Sequence, residues 1–380
     1  MLALCVAALT WSGAPLLWRA SSVTGRSLSQ VRSQVNSDSR VSAEYMDFLL
    51  GKLKFDVTED CPSVIVGNGR IGSMLLELGQ RRGYEDVLVK RGDPIPADHP
   101  GPVYVCTQAA DVEAVLAACP PEKKDDLVFV QDGMLEPVFQ RAGCYGCTQV
   151  SLWMCQMRVG GKPKDGAGLT TVSGKWAGSV AMRLGRGDLT CQVRMERDGR
   201  RAMLERLIFV TAYGLVGPAH PTPSPSPSLS PSPSPSPSPS PSPSPSPNPN
   251  QVGTATGTAT YGEVASKHGE DVAQICRELA SCVRYTLSVA LKSEIDERLA
   301  AHAAHLDFVR TSTEDGRLVD FEFRSGYFYR LSKMAGQRVL ADGRKVDIPD
   351  GTPLHTEYLL RAVAEGHLDQ ATLDSVLPPA

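Results

Sequence analysis

Apolar residues along the first half of the chain fall into short runs of strand length, at Ser63–Val66, Asp86–Val89, Val103–Cys106 and Leu127–Val130. Between them, Ser73–Arg82 and Asp111–Ala118 carry apolar positions at helical spacing. Strands alternating with helices in this way argue for a parallel, doubly wound sheet. Around residues 168–194 the pattern changes. Thr170–Val172, a helical Lys175–Leu184 and Thr190–Arg194 then read as an extension of that sheet. Past residue 200 the pattern is helical. Val272, Ile275, Cys276, Leu279, Ala280, Val283 and Leu287 recur at i, i+3, i+4. Further helices are expected at about Lys292–His305, Asp320–Ala335 and Leu354–Glu365. The expected class is therefore α/β followed by α.

Two segments stand apart from this patterning. From Pro221 to Pro249 the chain is almost pure Ser-Pro repeat. Proline lacks the amide donor and blocks helix, so this stretch reads as an extended, polyproline-like spacer outside any core. Whether it docks a partner or is a tolerated insertion stays open. The first 37 residues contain no Asp or Glu, yet include Arg19, Arg26, Arg32 and many serines. An acid-poor, Arg- and Ser-bearing leader resembles an organelle transit peptide, of the chloroplast or, as the alternative, the mitochondrion. The apolar run Leu2–Leu17 is broken by Ser12, Gly13 and Pro15 and is too short for a membrane span. The expected organisation is a leader over residues 1–45 and a sheet domain over 46–200, with Val41–Val57 forming a helix and connector. A helical domain over 201–218 and 261–380 would follow, interrupted by the insert 219–260.

Composition changes this picture little. Of 380 residues 42% are hydrophobic and 21% charged, with a net charge of −3, so no electrostatic case exists for nucleic acid or an anionic membrane as partner. Ten cysteines occur, several inside apolar segments such as Cys106, Cys276 and Cys282, and they read as buried thiols rather than a disulfide framework. Cys144 and Cys147 form a C-x-x-C that is read as two loop thiols, with a redox or zinc role as the other reading.

The densest chemistry lies at Val64-Ile65-Val66-Gly67-Asn68-Gly69-Arg70-Ile71-Gly72, a G-x-G-x-x-G directly after a strand and before a helix. In that setting Gly67 permits a tight turn, Gly69 lets a pyrophosphate approach the backbone, and Gly72 allows helix to pack on strand. The helix N-terminus offers free N–H groups and the positive end of its dipole. This identifies an NAD(P)-binding Rossmann domain. The second strand ends in Lys90-Arg91-Gly92, where an NAD enzyme usually places an acid. Two cations suit a 2′-phosphate, so NADPH is expected over NADH, with Arg70 near the same phosphate.

The ordered set of motifs resembles the ketopantoate reductase family over roughly residues 62–365, apart from the insert. Besides the glycine loop, Gln131-Asp132-Gly133 resembles the family's Q-N-G turn beside the nicotinamide, and Thr171-Val172-Ser173-Gly174 its sheet extension. Asp320–Tyr327 resembles its substrate helix, and Pro353-Leu354-His355 its last helix. The resemblance implies an all-helical, 6-phosphogluconate-dehydrogenase-like second domain and a small-molecule carbonyl substrate; a homodimer is compatible with it. It also implies cofactor contacts from Gly67, Asn68, Gly69, Arg70, Ile71, Gly72, Lys90, Arg91, Thr107, Gln131, Asp132 and Gly133. The departures concern chemistry. Arg206 stands where the family has its general-acid lysine, Val210 where it has an asparagine, and Thr107-Gln108 where it has a second lysine. Asp132 replaces the turn's asparagine, and Asp320 keeps a carboxylate at the substrate position. Arginine is a poor proton donor but can act as an electrostatic clamp. Arg206 and Asp320 are thus the candidate catalytic pair in an interdomain cleft, or else an ion pair with each other, with water or His355 as proton source. His302 and His305, three apart, have metal-ligand spacing, but without further ligands they read as exposed helix histidines, and no metal is expected. Phe321, Phe323, Tyr327, Phe328 and Tyr329 read as core and interface packing.

Overall fold

In the computed structural model, residues 58–220 and 259–377 are described, save 145, 312, 315–316, 336, 340–344 and 348–349. The expected leader and nearly all of the Ser-Pro insert lie outside the described residues. Three-residue strands β1 (Val64–Val66), β2 (Val87–Val89), β3 (Val103–Val105) and β4 (Leu127–Phe129) pair in parallel. Helices α1 (Arg70–Gln80) and α2 (Val112–Ala118) connect them, and α3 (Glu136–Ala142) follows β4. Strand β5 (Thr148–Ser151) continues the parallel set. A small antiparallel hairpin, β6 (Met154–Cys155) and β7 (Lys164–Asp165), then leads to β8 (Thr171–Ser173), antiparallel to β5. Helix α4 (Ala177–Gly185) and β9 (Gln192–Val193) complete a seven-stranded sheet of order β2-β1-β3-β4-β5-β8-β9.

The central strands are short apolar runs because both faces are covered, as parallel sheets require. Val64, Val66, Val103, Val105, Leu127 and Phe129 face α2 and α3. Ile65, Tyr104, Val128 and Val172 face α1 and α4. At the N-terminal edge, the fully buried Arg183 of α4 donates to Asp60 at 3.1 Å and to Asp86 at 3.0 Å, and it reaches Ser63 Oγ at 2.7 Å. A buried cation needs such complete pairing. Gly79 makes room for it: a Cβ there would lie 1.8 Å from Asp86 Oδ2.

The helical part begins with α5 (Glu196–Ala219) and α6 (Tyr261–Leu287), followed by α7 (Ile295–His305), α8 (Ser325–Ala335), α9 (Pro353–Ala364) and α10 (Gln370–Ser375). Thr260 caps α6 through a capping box with Glu263. Helix α5 is long and apolar enough to cross a membrane by composition, but it is the central helix of this part and mostly buried. The expected helix over Asp320–Ala335 is broken: Asp320 has φ +50°, Phe321–Phe323 form one 3-10 turn, and α8 starts only at Ser325. The class is as expected, a Rossmann sheet followed by a helix-rich part. Two short antiparallel strand pairs, Thr313–Glu314 with Arg317–Leu318 and Gln337–Val339 with Lys345–Asp347, lie between the helices.

One expectation about cysteine is corrected. Cys144 and Cys147 are not free loop thiols; they form a disulfide, with Cα atoms 6.5 Å apart, just before β5. The turn at Gly146, with φ +84°, brings the two sulfurs together. Cys106, Cys276 and Cys282 are free, and burial pushes their thiols up to about 12, about 12 and about 11, which keeps them uncharged.

Candidate active site

The three glycines of the loop after β1 have three different surroundings. Gly67 has φ +101°, and a Cβ there would meet the Cys106 carbonyl oxygen at 3.0 Å. A Cβ on Gly72 would lie 1.9 Å from the Gly67 carbonyl oxygen, so turn and helix touch through backbone. Gly69 has nothing within 4 Å on that side. This open face is where a pyrophosphate would meet backbone alone. Helix α1 has no side-chain cap and no acid in its first turn, so its orphan N–H groups and dipole are available to an anion. Asn68 is fixed by Ser73, whose Oγ donates to Asn68 Oδ1 at 2.9 Å. Ile71 packs into the core beneath, which leaves its backbone for a ligand.

At the end of β2, Lys90 and Arg91 are exposed. The Arg91 side chain is 88% accessible and reaches Asp111, just before α2, at 3.3 Å. Arg70 has its own partner. Its Nη1 donates to the Gln156 carbonyl at 3.2 Å, in the loop of the β6–β7 hairpin. Thr107 presents a buried Oγ1 with no hydrogen-bond partner among the described residues. Gln131 is a staple: its Nε2 donates to the carbonyls of Val105 and Thr107 at 2.9 and 3.1 Å, joining the ends of β3 and β4. Gly133 serves the contact between the two parts of the fold. A Cβ there would be 2.9 Å from Phe323 Cβ, and the Met134 amide donates to the Phe323 carbonyl at 2.8 Å.

Arg206, on α5, and Asp320 both lie at this junction but do not pair with each other. Arg206 grips Asp132 in a bidentate pair, Nε to Oδ1 at 3.0 Å and Nη2 to Oδ2 at 2.8 Å. Arg324 donates from Nε to the Asp132 carbonyl at 3.0 Å and from Nη2 to Asp320 Oδ2 at 3.0 Å. The side chains of Arg206 and Asp132 are only 11% and 22% accessible. Burial pushes the Asp132 carboxyl up, but the guanidiniums of Arg206 and Arg324 outweigh it and hold the group below the usual carboxylate range. Burial likewise works against the Arg206 cation, and Asp132 overrides it. Four charges therefore alternate in sign across the junction. The Arg206 guanidinium also lies over the Trp153 ring at 4.9 Å.

Neither histidine of interest is placed as expected. His302 is buried, not exposed, edge-on to Trp153 at 4.4 Å and to Phe209 at 4.9 Å. Burial, then the nearby Arg206, push its pKa down to about 3. His305 points elsewhere, its Nε2 3.0 Å from the Asp165 carbonyl oxygen, so the two make no metal pair. His355 does not face the junction; it is fully buried against Phe328, and burial lowers it to about 4. Val210 is buried within the helical core.

Sequence reading missed Arg324, Trp153 and a second bidentate pair, Arg200 to Glu136 at 2.6 and 2.8 Å. That pair borders a cavity of about 50 Å³ between α3 and the first turns of α5, with Gln131, Gly133 and Ser151 also on its wall. Only Arg324 had a signal, four residues after Asp320, the spacing of helical ion pairs.

No family model matches the chain, and no curated protein matches it. Solved structures do. A ketopantoate reductase of the PanE/ApbA family from Ralstonia eutropha superposes with a TM-score of 0.53 at 13% identity, over 80% of this chain and 100% of that one. D-mandelate dehydrogenase, solved with NADH and anilino(oxo)acetate, gives 0.50 at 11% identity, over 80% and 99%. The dimeric ketopantoate reductase of Staphylococcus aureus gives 0.50 at 10% identity, over 80% and 100%. At these identities the likeness is one of fold.

Proposed function

We propose that this chain is an NADPH-dependent oxidoreductase that reduces a small 2-keto acid or a related carbonyl compound. The observation that carries the reading is the glycine turn, where Gly69 leaves an open approach to an uncapped helix N-terminus. The residues present fit a dinucleotide. Backbone N–H groups at 69–72 would hold the pyrophosphate, and Lys90 and Arg91 a 2′-phosphate. When bound, the reduced nicotinamide supplies a hydride to the carbonyl carbon. The chain's part is then positioning and charge. Arg206 would hold a substrate carboxylate or the oxygen that gains negative charge, and Asp320 would accept from a substrate hydroxyl. Arg206 stays protonated, and His302 and His355 are buried and neutral, so water is the proton source in this reading. A homodimer and residence in a chloroplast or mitochondrion, after loss of the leader, belong to the same proposal. A fluorescent fusion of residues 1–45 that remained in the cytosol would remove the localisation.

A second reading is favoured by one observation: Arg206 commits its Nε–Nη2 edge, and with it its charge, to Asp132. A substrate anion could reach only the Nη1 edge and would meet a pair without net charge. A protein that binds NADPH as a ligand or sensor needs no anion there. NADPH titration followed by a screen of 2-keto acids, reading NADPH absorbance, separates the two. Arg206→Lys restores a titratable donor and is expected to raise turnover of ketopantoate above that of the unmodified protein. NADPH binding without turnover of any 2-keto acid in either protein leaves the binding reading, and absence of NADPH binding removes both.

A further inference from the structure

The C-terminal end of α5 carries a cluster that the oxidoreductase reading does not use. His220, the residue after α5, stacks on His268 of α6 with ring centroids 3.5 Å apart and planes 12° apart. Asp271 lies on the same face of α6, three residues on, so that face presents an imidazole and a carboxylate together. One ligand atom from each of His220, His268 and Asp271 lies within 4.8 Å of the other two. All three side chains are partly buried rather than free in solvent.

Two details of the surroundings set this cluster apart from a chance meeting of surface groups. Helix α6 is not regular at His268: its φ and ψ are −131° and 26°, so the backbone kinks at the residue that brings its ring against His220. Tyr358 of α9 also closes the cluster from a third element. Its hydroxyl donates to Asp271 Oδ2 at 2.6 Å and lies 3.3 Å from His220 Nε2. A carboxylate ligand oriented by a second hydrogen bond is how metal sites are commonly built.

We propose that His220, His268 and Asp271 form a binding site for a divalent transition metal of the zinc class. Two neutral imidazoles and a carboxylate are the borderline N and O donors that such ions take, and hard ions such as magnesium or calcium would want more oxygen. Ligands about 2.0–2.2 Å from a central ion are separated by less than the present spread, so the side chains would close and the two stacked rings would turn until their in-plane lone pairs converge on the ion. Three protein ligands leave a fourth position for water. The metal is not part of carbonyl reduction. Arg206, on α5, precedes His220, the residue just beyond that helix, by fourteen positions, about 21 Å along its axis. Its role is to clamp helices. His220 immediately precedes the Ser-Pro run and His268 lies in the early turns of α6, the first described helix after it, so the ion would tie together the two elements that flank that run.

The test uses the full chain without an affinity tag, with Zn²⁺ competed against a chromophoric chelator and Co²⁺ followed by its visible absorption. The expected result is one equivalent of bound metal. His268→Gln and Asp271→Asn should each weaken binding by more than about tenfold, while His305→Gln should leave it unchanged. Asp271→Asn keeps an acceptor for Tyr358 and so guards against loss of fold as the cause. Less than one equivalent bound at saturating metal would overturn the proposal, as would binding that neither His268→Gln nor Asp271→Asn weakens. NADPH titration of the same samples keeps the outcome separate from that of the oxidoreductase reading.

Discussion

Replacing Arg206 by Met tests the charge arrangement at the junction directly. Methionine keeps most of the length and can still lie over Trp153, but it removes both donors that the Asp132 carboxylate has from Arg206. Arg324 does not substitute, because it is bonded to the Asp132 backbone carbonyl and to Asp320. Breaking a buried pair at one partner costs about 3–5 kcal/mol. With Asp132 still 22% accessible, the lower end, about 3 kcal/mol, is the expected loss. Asp132→Ala should cost a similar amount, because it strands the Arg206 cation. The double variant removes both charges and should cost about 4 kcal/mol rather than the additive 6 or so, a coupling of about 2 kcal/mol. The deficit of Arg206→Met should also shrink in acid. An unpaired buried carboxyl takes up a proton at higher pH and so sheds its charge. Urea melts of the wild type, both single variants and the double variant, followed by tryptophan fluorescence, give the cycle. Additivity within about 0.5 kcal/mol would refute the coupling and the claim that Arg206 is held by Asp132.

Other outcomes follow from single positions. Gly72→Ala puts a Cβ 1.9 Å from the Gly67 carbonyl oxygen; it should open the turn and weaken NADPH binding by more than about tenfold, and an unchanged Kd would show that the turn is not the pyrophosphate site. Arg91→Asp should flatten the preference for NADPH over NADH by about ten- to hundredfold, from loss of one charge-assisted phosphate pairing; equal affinities in the unmodified protein would end that assignment. His302 and His355 are lowered by burial to about 3 and about 4. The unfolded chain, with histidine near 6.5, therefore binds more protons below that pH, and stability falls as the pH falls. From pH 7.5 to pH 5 each contributes a loss of about 2 kcal/mol, and His302→Leu and His355→Leu variants whose pH slopes match the wild type would contradict it.

The parts of the fold that could be read from sequence are those whose signal is local. The apolar runs of β1, β3 and β4 are short and continuous because both faces are buried, and the glycine loop between β1 and α1 announces its own geometry. Helix α3 was missed because Pro137 stands in its first turn, a position where proline is tolerated but which looks like a break. Strand β5 was missed because Thr148-Gln149-Val150-Ser151 mixes polar and apolar residues. Thr148 is nonetheless buried: its Oγ1 accepts from the Trp176 amide at 2.9 Å, a partner 28 residues away. His302 illustrates the same limit from the other side. On a helix rich in alanine and charge it reads as a surface residue, and only the packing of Trp153 and Phe209 around it shows otherwise.

The site itself was legible as a set of positions but not as a set of pairings. Read along the chain, Arg206 in place of a lysine and Asp132 in place of an asparagine are two separate departures from the ketopantoate reductase pattern. In space they are one. A carboxylate enclosed at the end of β4 needs a cation with two parallel donors, and arginine supplies that fork where lysine offers a single point charge. The partners are 74 residues apart, so no local spacing rule could join them. The same pairing decides how the two functional readings differ. If turnover occurs, a substrate anion competes with Asp132 for the positive charge of Arg206, so catalysis should strengthen as Asp132 is protonated or replaced. Asp132→Asn leaves an acceptor in place while removing the charge that competes with substrate. It should therefore lower KM for an anionic 2-keto acid, read at saturating NADPH, in an active enzyme, whereas a protein that only binds the cofactor turns over no such acid in either form. A higher KM in Asp132→Asn would mean that Asp132 helps to hold the substrate rather than opposing it, and would remove Arg206 as the anion clamp.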